Sequence, residues 1–184
     1  MEATRDAAAE TERMFHALDG QFFGKYRGLV VGNVDPTHRG RLKVTVPAVM
    51  GEEEVWAEPC APYAGDGVGF FALPPTNAGV WIEFEAGDTR YPIWSGCFWA
   101  CGQIAAEDAV PTVKFFKTDS FTIRIDDAQG EMVIETKTGS RITINGTEVK
   151  LEATQVSQVA QTAKTELTPA SFSVNDGALA VAVV

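Results

Sequence analysis

The sequence is poor in the residues on which most catalysis and metal binding depend. It has two histidines, His16 and His38, and three cysteines, Cys60, Cys97 and Cys101. An odd and small cysteine count does not make a disulfide scaffold. A structural zinc ion needs four converging ligands, and the C-x3-C pair Cys97/Cys101 is a solitary pair. A nucleophilic Cys97 would need a base, and nothing in the sequence brings His16 or His38 to it. The expectation for Cys97 is a small, buried, apolar thiol in a strand. No catalytic, metal-binding or cofactor-binding residue is expected.

Positive charge is also scarce. Fifteen Lys and Arg stand against 25 Asp and Glu, a net charge of −10, with a pI near 4.6. Phosphate binding needs a basic surface, and only the short "HRGR" at 38–41 offers one, so nucleic acid is not an expected partner. No apolar run approaches the roughly 20 residues that span a bilayer. The opening "MEATRDAAAETERMF" lacks a basic region followed by an apolar stretch, so no signal peptide is visible and folding in a cytoplasm is expected.

What remains is ordinary globular material, 45% hydrophobic and 22% charged. Residues 1–20 are rich in Ala and Glu, with Met14, Phe15 and Leu18 at helical spacing, and read as a short N-terminal helix ending at Gly20. Residues 21–101 hold all the tryptophans and nearly all the prolines. Strand-like runs lie at 25–34, 40–49, 55–63, 79–87 and 91–99, separated by Asp35-Pro36, Gly51, Gly65-Asp66-Gly67, Pro74-Pro75 and Gly87-Asp88. Leu42, Val44 and Val46 alternate with Arg41, Lys43 and Thr45, as in a half-buried strand. Five short strands of this kind suit a closed five-stranded barrel of the OB type.

Several residues in this region invite a chemical reading. Glu83, Glu85 and Asp88 resemble a carboxylate pair, but 81, 83 and 85 share one strand face and Ile82 and Phe84 the other. Exposed edge carboxylates beside a buried face are expected, with Trp81 on the outer face as a contact for another chain. The glycine-rich "GDGVGFFALPP" (65–75) lacks the lysine and the helix of a phosphate loop, and reads as a Pro-stopped barrel loop. Its Phe70 and Phe71 either plug the barrel or meet a neighbouring subunit. Arg41 is expected to be solvated, or paired with an acid across an interface. In "YPIWSGCFW" (91–99), strict alternation places Ile93, Ser95, Cys97 and Trp99 on one face and Trp94, Gly96 and Phe98 on the other. Both faces are largely apolar, so cover on both sides is expected.

The composition changes after Cys101. Residues 102–112 read as a linker. Residues 113–184 lack tryptophan and are rich in Thr, Val, Ile and Ser, with turns at Gly139, Asn145-Gly146 and Asp176-Gly177. Their short, small-sided strands bury too little to offset about 1–2 kcal/mol of backbone ordering per residue. Such strands need stacked neighbours. Two arrangements satisfy this: a prism of several chains, or a meander sheet packed on the barrel. The prism is the favoured expectation, with Phe121, Ile123, Ile125, Ile142, Ile144, Val149, Leu151, Phe172 and Val174 filling a shared axial core. Residues 154–167, "TQVSQVAQTAKTEL", also fit helical spacing, but strand is expected from context.

Taken together, residues 24–99 resemble the baseplate spike family of contractile injection systems. That family includes phage baseplate assembly protein V and the OB-fold module of the type VI secretion valine–glycine repeat spike. The resemblance is carried by Asn33-x-Asp35-Pro36 with Gly40-Arg41, Trp56-Ala57-x-Pro59, Pro62-Tyr63-Ala64-Gly65, Val80 to Glu85, Gly87-Asp88 and Pro92-x-Trp94-x-Gly96-x-Phe98-Trp99. It implies an all-β chain: an OB-fold barrel followed by a trimeric, three-stranded β-helix needle (113–184). It further implies a non-enzymatic homotrimer in a phage tail or tail-like injection particle, assembled in the cytoplasm and exposed to the target envelope on firing. The implied partners are a separate hub protein and a PAAR-type tip protein. Phe70, Phe71, Trp81, Trp94 and Trp99 are the expected hub or inter-subunit contacts, and Leu179, Val181, Val183 and Val184 the expected platform for the tip. The histidine-held iron of some phage needles is not carried over, because both histidines lie far upstream. The alternative from another class is an OB-fold module that binds oligosaccharide or single-stranded nucleic acid.

Overall fold

The computed structural model describes residues 20–161, 163–175 and 178–182. The expected N-terminal helix, apart from Gly20, and the platform residues Val183 and Val184 lie outside them. The chain divides into two compact units, with the boundary between Gln103 and Ile104.

The first unit is built on five strands: β1 (Tyr26–Gly32), β2 (Leu42–Thr45), β3 (Glu54–Pro59), β6 (Gly79–Phe84) and β7 (Pro92–Phe98). They close into a barrel in the order β1-β2-β3-β7-β6. All pairings are antiparallel except β3 with β7, which is parallel. This is the OB arrangement expected from the strand count. The connection from β3 to β6 carries a small hairpin, β4 (Ala64–Gly65) with β5 (Val68–Gly69).

The alternation in β2 and β6 fills the barrel. Val30, Leu42, Val44, Val46, Ala57, Val80 and Ile82 are fully buried and Phe84 nearly so. Each such aliphatic contributes about 1.5–3 kcal/mol by leaving water. The strand expected at 40–49 is shorter than its apolar pattern. Pro47 has no N–H for the ladder, and Pro47–Met50 forms a single helical turn instead.

The second unit is wholly antiparallel. Its first sheet is a meander of β8 (Val113–Lys117), β9 (Phe121–Asp126), β10 (Glu131–Thr136), β11 (Arg141–Ile144) and β12 (Val149–Glu152). Its second is a meander of β13 (Val156–Ala160), β14 (Ala163–Leu167), β15 (Ser171–Val174) and β16 (Leu179–Ala182). The stretch 154–167 is thus a strand pair, with Val156 opposite Leu167 and Ala160 opposite Ala163. Ladder bonds to β15 on the far side of β14 outweigh its helix-forming composition.

The segment expected to be a linker is tied down in part. Asp108 accepts a hydrogen bond from Nε of Arg124 at 3.1 Å, and the Asp127 amide donates to the Thr112 carbonyl at 2.9 Å.

Candidate interaction surfaces

The register of the second unit places one apolar face on each sheet. In the first sheet Ile125, Met132, Ile144 and Val149 form one cross-strand row. Phe116, Ile123, Ile134, Ile142 and Leu151 form the next. Phe121 extends the same face, because it lies two residues from Ile123. The opposite face carries Arg124, Glu131, Glu135, Arg141, Lys150 and Glu152, joined by ion pairs such as Lys150–Glu152 at 2.7 Å. In the second sheet Val156, Leu167, Phe172 and Val181 form one row, and Thr165, Val174 and Leu179 share the face.

Among the described residues nothing covers these apolar faces fully. Phe121 is 56% exposed and Leu151 51%, while the polar side of the first sheet holds the buried Val133 and Thr143. Ile142, Ile144 and Val174 are half-buried. A shallow groove of about 420 Å³ runs where β12 gives way to β13, lined by Phe121, Ile134, Ile142, Leu151 and Val156. Polar residues, among them Glu135, Arg141 and Gln155, also line it, and Val156 of the second sheet stands in the same groove as the apolar residues of the first. A contiguous apolar surface of this kind marks an association site.

The barrel has its own outward features. Between β1 and β2 the Asp35 carboxylate accepts bonds from the Thr37 amide (3.0 Å), the Thr37 hydroxyl (2.8 Å) and the Arg39 amide (2.9 Å). It also accepts from Nε and Nη2 of Arg41 at 3.2 and 2.9 Å. The Arg41 guanidinium lies 5.1 Å from the Trp56 ring centre. Arg41 thus pairs within its own chain: its acid stands six residues earlier on the same connection. The Arg41 guanidinium first, then the amide donors, hold the Asp35 carboxyl far below the usual carboxylate range, against opposing desolvation. In the sequence, Asp35-Pro36 marked the turn between strands, while the ion pair inside it went unmarked.

Glu83 meets Lys25 at 2.7 Å, and that contact lowers its pKa. Asp88 is lowered to about 2 by the Arg90 side chain. These carboxylates are committed to ion pairs. Val80, Ile82 and Phe84 form the buried face of β6, as the alternation requires.

Strand β7 departs from strict alternation. Val80 pairs with Cys97 and Ile82 with Trp94, leaving Ser95 and Gly96 opposite the single residue Trp81. This β-bulge, with Gly96 at φ +137°, reverses the phase of the strand. Trp94 packs against the barrel core and donates its ring N–H to the Gly40 carbonyl at 3.2 Å. Phe98 instead lies on the outer face, 5.0 Å from Trp81. Gly79 makes this possible, since a Cβ there would stand 2.6 Å from the Phe98 ring. The expected sharing of one face by Trp94 and Phe98 is therefore corrected.

Cys97 is also corrected: like Cys60 and Cys101 it is exposed in the single chain. Partial desolvation still pushes its thiol pKa up, away from the reactive thiolate. Phe70 and Phe71 do not plug the barrel, being 57% and 76% exposed. Trp99 is 67% exposed and Trp81 half-buried under Arg27. Among the described residues no group of three or more His, Cys, Asp or Glu could hold a metal ion, and no helix is long and apolar enough to cross a membrane.

Comparison with known proteins assigns both units. Residues 26–99 match the type VI secretion system/phage-baseplate injector OB domain. Residues 113–180 match the phage baseplate V C-terminal trimerisation domain. No curated protein matches the chain at a significant level. The barrel match coincides with the closed five-stranded unit, and the trimerisation match with the two sheets whose apolar faces lie open. The chain belongs to the baseplate spike family of phage tails and type VI secretion injectors, and its second unit is the domain through which it forms a homotrimer.

Proposed function

We propose that three copies bring the apolar faces of both sheets around a common axis, forming a needle that docks through its barrels beneath a separate hub protein. On sheath contraction the needle is driven through the target envelope. The role is structural and non-enzymatic. The observation that carries this reading is the one-sided apolar surface that continues from Phe121, Ile123 and Ile142 across the groove to Val156. Ion pairs on the other face of the first sheet suit an outer wall, part of it engaged by the segment that carries Asp108.

In domain terms, residues 21–101 are the docking barrel, 102–112 the connection and 113–184 the needle. Phe70, Phe71, Trp81 and Trp99, with the outer part of the half-buried Trp94, are the barrel residues offered to the hub or to neighbouring subunits. In β16, Leu179 and Val181, 60% and 62% exposed, offer an apolar platform to a PAAR-type tip protein; Val183 and Val184, expected to share it, lie outside the described residues. Assembly takes place in the cytoplasm before the particle is exposed to its target.

The function is tested in particles that carry this chain. Deleting residues 113–184 is expected to leave sheath contraction intact and abolish delivery through the envelope; undiminished delivery would overturn the piercing role. For the tip, co-elution with a PAAR-type protein is expected with the full chain and not after removal of residues 178–184. Equal binding by both would remove the platform from the account.

A further inference from the structure

The barrel displays two features of matching chemistry, and neither has a partner among the described residues. The first is a held cation. Of the lysines and arginines described in the barrel, Lys25, Arg39, Arg41, Lys43 and Arg90 each grip a carboxylate. Arg27 is the exception: among the described residues it makes no ion pair and no hydrogen bond. Its guanidinium is instead held over two rings, 4.9 Å from the centre of Trp81 and 4.5 Å from that of Phe98. The site is built rather than incidental, because the β7 bulge and the missing side chain of Gly79 are what bring Phe98 there. A guanidinium stacked in this way keeps its N–H donors in a fixed plane, ready for a carboxylate.

The second feature is the β4–β5 hairpin. Residues 62–72 are all exposed, although they include Tyr63, Val68, Phe70 and Phe71. Phe71 rests beside Gly40 of its own barrel, while Val68 and Phe70 are left in water. A two-stranded hairpin is at best marginally stable alone, so an apolar one is expected to lean on something. Asp66, at its turn, is the only charged residue between 59 and 82 and has no partner among the described residues.

We propose that in the trimer each β4–β5 hairpin docks on the Arg27–Trp81–Phe98 face of the neighbouring barrel. The Asp66 carboxylate then takes the Arg27 guanidinium, and Val68 and Phe70 cover the rings. The occupant is a second copy of this chain because a cyclic trimer is joined head-to-tail: each subunit must present two different, complementary surfaces, each used once. One apolar patch with one cation and one apolar arm with one anion meet that requirement in number and in sign. The proposal rests on the homotrimer that the second unit forms.

The test uses the full chain with Cys60, Cys97 and Cys101 changed to serine. Arg27→Cys and Asp66→Cys are added together, and the protein is oxidised with copper–phenanthroline. A ladder of covalent dimer and trimer is expected on a non-reducing gel, with light scattering of the same sample giving the mass before oxidation. A trimeric mass without a ladder overturns the hairpin contact and leaves the trimer standing. A monomeric mass overturns the assembly itself.

Because the cysteine pair weakens the contact that it reports, a charge exchange serves as the second measurement. Arg27→Glu and Asp66→Lys, each alone, are expected to lower hydrogen-exchange protection of the hairpin amides about tenfold, equivalent to about 1.4 kcal/mol. The double exchange is expected to restore it. Two singles and a double that are all equally unprotected, or all equally protected, would overturn the pairing.

Discussion

Asp35 shows how one side chain can close a connection. Its carboxylate takes bonds from the Thr37 and Arg39 amides and from the Arg41 guanidinium, while Asn33 Nδ2 donates to the Pro74 carbonyl at 3.0 Å. Since the folded-state pKa is depressed, the stability contributed by Asp35 is complete above the ordinary carboxylate pKa of about 3.9. It is lost as pH falls from there toward the folded-state value. Denaturant melts of the chain and of Asp35→Asn should therefore draw closer as pH falls below about 4. A gap that stays constant down to pH 2 would contradict the assignment. At Gly79, alanine would meet the Phe98 ring, so Gly79→Ala should displace Phe98 and lower Tm by several degrees, about 1–3 kcal/mol. Loss of the near-ultraviolet signal of the Trp81–Phe98 pair would report the displacement. The motif from Asn33 to Arg41 was legible as a tight connection, but its internal ion pair was not, because spacing alone does not say which way a side chain folds back. The exposure of Cys97 was hidden for a related reason: an apolar run reads as buried, whereas Cys97 lies near the end of its strand.

At the scale of elements, alternation was a sound guide wherever the ladder is regular. In β2 and β6 it located the buried face, since period two and one-sided burial are the same fact. It failed in β7, where two residues face one and every side chain beyond Ser95 changes sides. Gly96 was the only sign of the bulge in the sequence. In 154–167 helical and strand patterns coincided, and pairing with β15 decided between them. The segment 104–112 carries a prediction of its own. Arg124 is held by Asp108 and Asp126 on the polar side of the first sheet, with its pKa raised mainly by Asp108. Asp108→Asn should weaken that clasp and speed hydrogen exchange at the Asp127 amide, whose acceptor is the Thr112 carbonyl. The amides of β1 and β2 should be unaffected. Unchanged exchange at Asp127 would mean that the clasp does not order this segment. Within the barrel, Ile82→Ala empties a fully buried site and should cost about 2–5 kcal/mol by denaturant melt, a loss that a peripheral role for Ile82 would not produce.

At the scale of the whole molecule, the single chain is an unfinished structure. Its barrel has a conventional closed core, while its second unit leaves Phe121, Ile123, Ile125, Val149, Leu151 and Phe172 exposed on one side. The need for neighbours was readable from strand length and side-chain size, and the trimerisation match supplies their number. The proposed barrel contact was not readable, because the Arg27 site exists only once the bulge has turned Phe98 outward. In the proposed trimer the Ile123–Ile134–Ile142–Leu151 row lies inside. An aspartate at Ile142 would bury an unpaired charge in every copy, at a cost of several kcal/mol each. Glu135, on the opposite face, has no such consequence. The decisive measurement is molar mass by light scattering for the unmodified chain, Ile142→Asp and Glu135→Gln. Three times the 19.8 kDa chain mass is expected for the first and third, and loss of that trimer for Ile142→Asp. A monomeric unmodified chain, or an intact trimer with Ile142→Asp, would contradict the account.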